Sequence, residues 1–370
     1  MNYSYWELKE WFTNIDFTIV GSGIVGLNCA LQLKKKYPNS KILILEKGML
    51  PQGASTKNAG FACFGSLSEL IEDLKTHTEE EVVSLVEKRW QGLQLLRKNL
   101  GDKNIDFQQN NGFELFQSED FYEECISKKK NINQLLKTIF KADVFSISEN
   151  VFNFQKIHEN YIKNSFEGQI DTGKMMLKLL NVVQKLGVKI LNNIAVENYL
   201  ENQNHVEIET NQIAFKSNKL IIATNGFANQ LLKENVQPAR AQVLVTKPID
   251  NLSIKGTFHL DKGYYYFRNI DNRILFGGGR NLDFKTEETT EFGHTEVIQN
   301  ELERILKEII LPNTSFEIEH RWSGIMGVGE QKKAIVKQVS NNVYCGVRLG
   351  GMGIAIGSSV GKELADLISQ

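Results

Sequence analysis

The chain has 370 residues, 41% of them hydrophobic, with 43 Lys and Arg against 44 Asp and Glu. That length allows substantial buried cores and predicts about two domains. The near-zero net charge, with no basic block interleaved with aromatics, argues against nucleic acid or an anionic membrane as partner and for a small ligand.

The first residues, MNYSYWELKEWFTNID, lack the basic start, apolar core and small-residue cleavage site of a signal peptide. They read as a short amphipathic helix whose Tyr5, Trp6, Trp11 and Phe12 are expected to pack on the first domain. No apolar run approaches the roughly 18 to 20 residues needed to cross a bilayer. Cys29, Cys63, Cys125 and Cys345 are far apart and match neither a zinc pattern nor a disulfide framework. No metal site is expected, and reduced thiols in the cytoplasm fit best.

The stretch from Phe17 to Glu46 reads as a complete β-α-β nucleotide-binding unit. An apolar run leads into Gly21, Gly23 and Gly26, which match GxGxxG; a helix to Lys36 and a second apolar run from Ile42 to Leu45 follow. Gly21 permits the tight turn, Gly23 the approach of backbone to a pyrophosphate, and Gly26 close helix–strand packing. The free N–H groups at the helix start stabilise an anion. Glu46 stands 20 residues past Gly26, where a carboxylate accepts hydrogen bonds from a ribose diol and repels a 2′-phosphate. The unit predicts a dinucleotide, with FAD and NAD both open and NADP disfavoured.

Next comes KGMLPQGASTKNAGFACFGSL, rich in small residues. Gly53, Ala54, Ser55 and Thr56 suit a phosphate, and Asn58, Ala59 and Gly60 suit a flat ring held against backbone. Leu67 to Leu100 reads as helical scaffold. FELFQ at Phe113 is strand-like, and His158, a lone histidine in an irregular stretch with no second histidine near it in sequence, is expected to be structural.

From Gly168 the pattern of a doubly wound sheet resumes. Asp171 or Thr172 caps an apolar helix from Met175 to Leu186, Gly187 stops it, and a strand follows at Val188 to Leu191. Val206, Ile208 and Ile213 suggest an antiparallel meander. The buried strand Leu220 to Ala223 then runs into Thr224-Asn225-Gly226, where open α/β sheets bind ligands.

Residues 237 to 327 read as a second sheet with one long amphipathic helix, TEVIQNELERILKEII. Tyr264, Tyr265, Tyr266 and Phe267 alternate across a strand, so some rings face a core and others a cavity. The chain closes with a strand from Val343 to Val347, then Arg348, then Gly350, Gly351 and Gly353 before an apolar helix. This second glycine-rich strand-to-helix junction suits a partial negative charge.

Taken together, GSGIVGL, LEKG, GASTKNAG, GQIDTGKM, LIIATNGFAN, PARAQVLVTKP, YYYFR with FGGGR, HRWSGIMG and VRLGGMGIAIGSSVG resemble, in order and spacing across nearly the whole chain, the FAD-dependent D-amino acid oxidase superfamily. That group includes glycine oxidase, sarcosine oxidase and γ-glutamylputrescine oxidase. The resemblance implies an α/β fold: a Rossmann-like FAD-binding domain (1–90, 168–236 and 328–370), with a mixed sheet, helices and a small β-meander, plus an α+β substrate domain (91–167 and 237–327) with an antiparallel sheet. It moves the cofactor from NAD to FAD.

Carried over position by position, it implies that Gly21, Ser22, Gly23, Ile24, Val25 and Gly26 hold the pyrophosphate and Glu46 the adenosine ribose, flanked by Lys47. Ser55 and Thr56 join the phosphate contacts, Asn58, Ala59 and Gly60 lie along the isoalloxazine edge, and Val196 meets adenine. Ala223, Thr224 and Gly226 pass near the middle of FAD; Gly350, Gly351, Met352, Gly353 and Ile354 cap the flavin pyrimidine end. The histidine or cysteine attachment positions of covalent members read STKNAG and WSGIMGVG here, so non-covalent FAD is expected. Members with Arg-Pro after the late Trp-x-Gly have Ile325-Met326-Gly327 as their counterpart here.

The implied activity is oxidation of a C–N bond in an amino acid or secondary amine by hydride transfer to flavin N5, with oxygen or another electron acceptor. The alternatives are a flavoprotein dehydrogenase using a non-oxygen acceptor and a non-catalytic flavin-binding module. A substrate carboxylate calls for an arginine. Arg348 is the first candidate, then Arg268 and Arg321, with hydroxyl contacts from Tyr266 and Tyr264.

Overall fold

The computed structural model describes residues 2–369. The strands form two eight-stranded sheets, each assembled from separated segments, and one two-stranded sheet. The first is built on the strand Ile15–Val20, which pairs in parallel with Ile42–Leu45 on one side and with Ala214–Ile222 on the other. Lys189–Leu191 and Val343–Val347 extend the parallel core, Ile335–Ser340 closes one edge antiparallel, and Val196–Glu201 with Val206–Thr210 form the meander. The strands Ile42–Leu45 and Val343–Val347 are buried throughout, as runs covered on both faces must be.

Helices Ile24–Lys36, Thr172–Lys185 and Gly353–Ile368 cover one face of this sheet, with Leu27, Leu33, Leu179, Val360 and Leu364 in the shared core. The glycines set the spacing. A Cβ on Gly26 would stand 2.1 Å from Gly21 O, and one on Gly361 would meet Cys29 N and Val25 O at 2.8 Å. Asp171 caps its helix by accepting from Lys174 N–H, and Gly187 ends the turn that follows at φ +80°.

The second sheet runs from Ile318–Val328 through Gln237–Thr246, Arg273–Gly278, Tyr265–Ile270 and Thr257–Leu260 to Gly112–Leu115, Asn160–Asn164 and Phe145–Glu149. It is antiparallel except at one place. Thr257–Leu260 pairs in parallel with Gly112–Leu115, because that junction joins chain from before and after the central nucleotide segment. Tyr265 and Phe267 point into a core shared with Phe258, Phe276 and the helix Glu296–Ile305. Phe258 and Phe267 stack at 4.5 Å, a contact worth about 0.5–1.5 kcal/mol beyond burial. Tyr266 and Arg268 therefore face the opposite side.

Two expectations change. The helical stretch from Leu67 to Leu100 is broken into Leu67–Asp73 and Glu79–Leu100, because Ser66 and Thr78 each begin a capping box, with Glu69 and Glu81. At the N-terminus Trp11 and Phe12 pack against the meander-side core, but Tyr5 and Trp6 are exposed. The first turn is held by its own Ser4–Glu7 capping box instead. His158 is structural as expected: it stacks on Tyr122 at 3.7 Å and lies 3.2 Å from Glu119. Among the described residues no helix is long and apolar enough to cross a membrane, and no cluster of ligating side chains suits a metal ion.

Candidate active site

A cavity of about 660 Å³ runs from the carboxyl ends of the parallel strands to the face of the second sheet that carries Tyr266. At one end Glu46, Lys47 and Val196 line it. Glu46 is buried, and its carboxylate accepts from Ser22 N (3.1 Å), Ser22 Oγ (2.7 Å) and Gly48 N (3.0 Å). Those donors fix it while leaving acceptor capacity for a diol, since a carboxylate has about four lone-pair sites. Lys47 lies over the Phe227 ring at 3.5 Å, and burial lowers its proton affinity.

The middle of the cavity is a backbone cradle. Gly21, at φ +102°, lies so close to Ala223 O that a Cβ would stand 2.8 Å from it, and a Cβ on Gly23 would meet Ser55 Oγ at 3.0 Å. Helix Ile24–Lys36 starts without a side-chain cap, so its first N–H groups face the cavity, one of them, Ile24, shared with Ser55 Oγ at 2.9 Å. This is an anion site. The Thr224 hydroxyl is buried beside it without a partner among the described residues. Helix Gly353–Ile368 offers a second uncapped N-terminus at the other end, reached through Gly350 and Gly351 with φ +58° and +82°. A cradle for two phosphates, a carboxylate for a ribose and a second helix terminus fit a flavin dinucleotide.

The loop from Asn58 to Gly60 is held rigid. Asn58 donates to Ala54 O and Ser55 O and accepts from Gly60 N–H and the Thr172 hydroxyl. Arg268, 3% exposed, donates through Nε to Ala59 O at 2.5 Å and through Nη2 to Ile170 O at 3.0 Å. Burial pushes its guanidinium down to about 10. Trp322 Nε1–H donates to Lys57 O at 2.9 Å, tying the same loop to the second sheet.

The chain belongs to the FAD-dependent oxidoreductase family named DAO. Its family model matches residues 16–367, and FAD is the cofactor of that family. A relative described as probable oxidoreductase OrdL of Haemophilus influenzae is 21% identical over 378 residues, 95% of this chain and 82% of the relative. Among solved structures, L-proline dehydrogenase of P. horikoshii superposes with TM-score 0.79 at 19% identity, covering 96% of this chain and 93% of that one. Iminodiacetate oxidase of Chelativorans sp. BNC1 gives 0.77 at 17% over 95% of each chain. Glycine oxidase of Bacillus cereus gives 0.75 at 16%, over 96% and 95%.

In this DAO-family chain, Gly21, Gly23, Ile24, Val25, Glu46, Lys47, Ser55, Asn58, Ala59, Gly60, Val196, Ala223, Thr224 and Gly350 to Ile354 all line the one cavity. Four expected contacts do not. Ser22 turns its hydroxyl to Glu46, and Gly26 is packed on Gly21. The Thr56 hydroxyl donates to Pro51 O at 2.6 Å, and Gly226 lies against Met326 O, 2.5 Å from where its Cβ would be.

The arginines divide differently from the sequence expectation. Arg348 sits at φ +62° and sends its guanidinium away from the cavity, to Asn235 O (3.1 Å) and Lys333 O (3.0 and 3.2 Å). It staples the loop around Lys333 to the preceding nucleotide segment. Arg321 pairs with Glu303 at 2.6 Å and with Gln299 on the amphipathic helix. Arg268 lies behind the Ala59–Gly60 backbone. None of the three lines the cavity.

Tyr266 and Tyr264 do line it. Burial pushes the Tyr266 phenol up to about 12, so it remains a donor at neutral pH. The guanidinium that borders the cavity is Arg280, from the Gly277-Gly278-Gly279-Arg280 run. It lies over the Phe284 ring at 4.7 Å and has no carboxylate partner among the described residues; burial lowers its proton affinity. The signal in the sequence was the triple glycine itself: Gly278 and Gly279, both at positive φ, turn the chain so that the next side chain re-enters the cavity. His259, at the floor beneath Phe61, also lines the site and carried no sequence signature.

Proposed function

We propose that the protein oxidises the C–N bond of an amino acid or secondary amine, with hydride passing from the carbon beside nitrogen to N5 of non-covalently held FAD. The observation that carries the reading is that the end of the dinucleotide cavity is walled by Tyr264, Tyr266 and Arg280, whose guanidinium has no ion-pair partner among the described residues. A planar guanidinium of this kind suits bidentate recognition of a substrate carboxylate, and Arg280 replaces Arg348 in that role.

When bound, FAD supplies the two-electron acceptor. The chain supplies orientation. Arg280 holds the carboxylate, the Tyr266 hydroxyl donates to it or to the amine nitrogen, and Phe61 with Ile325 and Met326 keeps the reacting carbon out of water. With FAD bound, the uncapped helix start at Gly353 would offer free N–H groups to stabilise negative charge on the ring system. Gly21, Gly23, Ile24, Val25, Ser55, Ala223 and Thr224 hold the pyrophosphate region, Glu46, Lys47 and Val196 the adenosine, and Asn58 to Gly60 with Gly350 to Ile354 the ring system. The three solved neighbours are named for proline, glycine and iminodiacetate, each an amine carrying a carboxylate, in keeping with this assignment.

The test is anaerobic reduction of the flavin by a panel of amino acids and secondary amines. Arg280→Met is expected to raise the Kd of the best substrate by at least about tenfold, equivalent to about 1.4 kcal/mol, with a smaller effect on the reduction rate at saturation. An unchanged Kd removes Arg280 from the substrate site. Whether oxygen or another acceptor reoxidises the flavin is decided by mixing the reduced protein with air-saturated buffer.

A further inference from the structure

At the floor of the same cavity lies a polar arrangement that the oxidation as derived above does not use. His259, its side chain 7% exposed, donates through Nε2–H at 2.6 Å to the carboxylate of Glu167, whose side chain is 1% exposed. Thr257 Oγ1–H donates to the same oxygen at 2.7 Å. Gly112 is glycine because of this carboxylate, which would stand 2.3 Å from a Cβ there. Sequence registers explain the grouping: His259 is opposite Tyr266 on one neighbouring strand and Glu114 on the other. With Nε2 fixed, the second nitrogen, Nδ1, has no partner among the described residues, and the ring borders the cavity with its edge against Phe61 at 5.3 Å.

We propose that His259 is a specificity-determining residue that donates from Nδ1 to a second oxygen acceptor of the substrate, a carboxylate or amide carbonyl distinct from the carboxylate held at Arg280, and that Glu167 is its positioning residue. The assignment rests on the reading of the cavity as an amine-oxidising site, and it narrows the substrate class to amines carrying two such groups. A buried histidine with one nitrogen committed to a carboxylate has its ring orientation and protonation fixed by that bond. Burial alone would push the imidazolium down, but Glu167 outweighs it and raises the group to about 9. Both nitrogens then carry hydrogen at neutral pH, which makes Nδ1 a donor.

The other charged groups acting on the ring are Glu69 and Glu114; Tyr266 lies opposite it on the next strand, and Cys63 lines the same cavity. Glu114 is engaged by Ser66 and Ser68, and burial raises its proton affinity. The Cys63 thiol is raised well above its ordinary range by burial. Glu69 borders the cavity, its carboxylate accepting from Ser66 N–H at 2.9 Å. A second carboxylate at His259 meets that like charge and an amide does not, so the two sources of the oxygen are separable.

The experiment uses FAD-loaded protein and non-reducible ligands, followed by the change in flavin absorption and by calorimetry. Acetate is the reference; malonate, succinate and glutarate, and the monoamides of each, are the bifunctional probes. In wild type at least one probe is expected to bind about tenfold or more tightly than acetate, and His259→Gln brings that ratio near one. Monoamides ahead of diacids identify an amide carbonyl as the acceptor; the reverse order identifies a carboxylate. If His259→Gln does not fold, Glu167→Gln decides the matter: the probe-to-acetate ratio, flat to pH 8 in wild type, then falls across neutral pH as the unsupported imidazole loses its proton. A ratio unaltered in His259→Gln, or a flat profile in Glu167→Gln, overturns the proposal. A wild-type flavin that no amine reduces sinks the amine-oxidation reading instead, while the ligand titration still reports on His259.

Discussion

Replacing Arg268 by methionine separates two roles that the sequence and the structure assign to this residue. The side chain makes two short hydrogen bonds to carbonyls, at 2.5 Å to Ala59 O and 3.0 Å to Ile170 O, and a long one of 3.5 Å to Asn269 O that is left out of the sum. Bonds to a charged donor are worth about 1.5–3 kcal/mol each, so their gross loss is about 3–6 kcal/mol. Against this, the guanidinium is buried without an adjacent carboxylate, and its depression to about 10 corresponds to roughly 3 kcal/mol of unfavourable burial at about 1.36 kcal/mol per pH unit. Methionine removes that cost with the charge, leaving a net destabilisation of about 0–3 kcal/mol. The larger effect falls on FAD. The freed Ala59–Gly60 backbone must be ordered again on binding, and the expected rise in FAD Kd is about 10- to 100-fold, or about 1.4–2.7 kcal/mol. Apoprotein titrated with FAD by fluorescence quenching measures this, and substrate Kd is then determined at saturating FAD. If Arg268→Met leaves FAD affinity intact and weakens only substrate, the residue binds substrate and the positioning argument is refuted.

Three further outcomes follow from the same geometry. Gly26→Ala places a Cβ 2.1 Å from Gly21 O, so the protein should fail to retain FAD on gel filtration and lose several degrees in melting temperature; a yellow, stable variant contradicts the packing described. Arg348→Met removes the bonds to Asn235 O and Lys333 O and should lower the melting temperature without a change in substrate Kd, whereas a substrate-binding arginine would show the opposite pattern. The raised His259 value makes stability pH-dependent with a definite sign. The contribution is fully present below the unfolded value near 6.5 and is lost as pH rises through about 9, so wild type should lose melting temperature across that window more steeply than His259→Gln.

The nucleotide half was legible because its determinants are local. Gly21, Gly23 and Gly26 sit at fixed steps, Glu46 ends the next strand, and each needs only its immediate neighbours to do its work. The alternation that sends Tyr265 and Phe267 to the core and Tyr266 to the cavity was readable for the same reason. The substrate end was less so. Arg348 stands beside the cavity-lining Gly350 and Gly351 in sequence, but its left-handed backbone turns the side chain to carbonyls near residues 235 and 333. Arg280 and His259 reach the cavity through strand pairing and a double-glycine turn, and Glu167 meets His259 across 92 residues of chain. The amphipathic pattern predicts that Tyr5 and Trp6 pack on the first domain, yet both are exposed and a capping box rather than packing holds their turn. Long-range strand register, which no local pattern encodes, placed His259 and its contact with Glu167.

The most direct measurement is the visible spectrum of the purified protein, followed by anaerobic addition of amines. The account predicts oxidised-flavin absorption that an amine carrying a carboxylate bleaches and NADH does not. A protein that takes up no FAD, or a flavin that NADH reduces and no amine does, contradicts it.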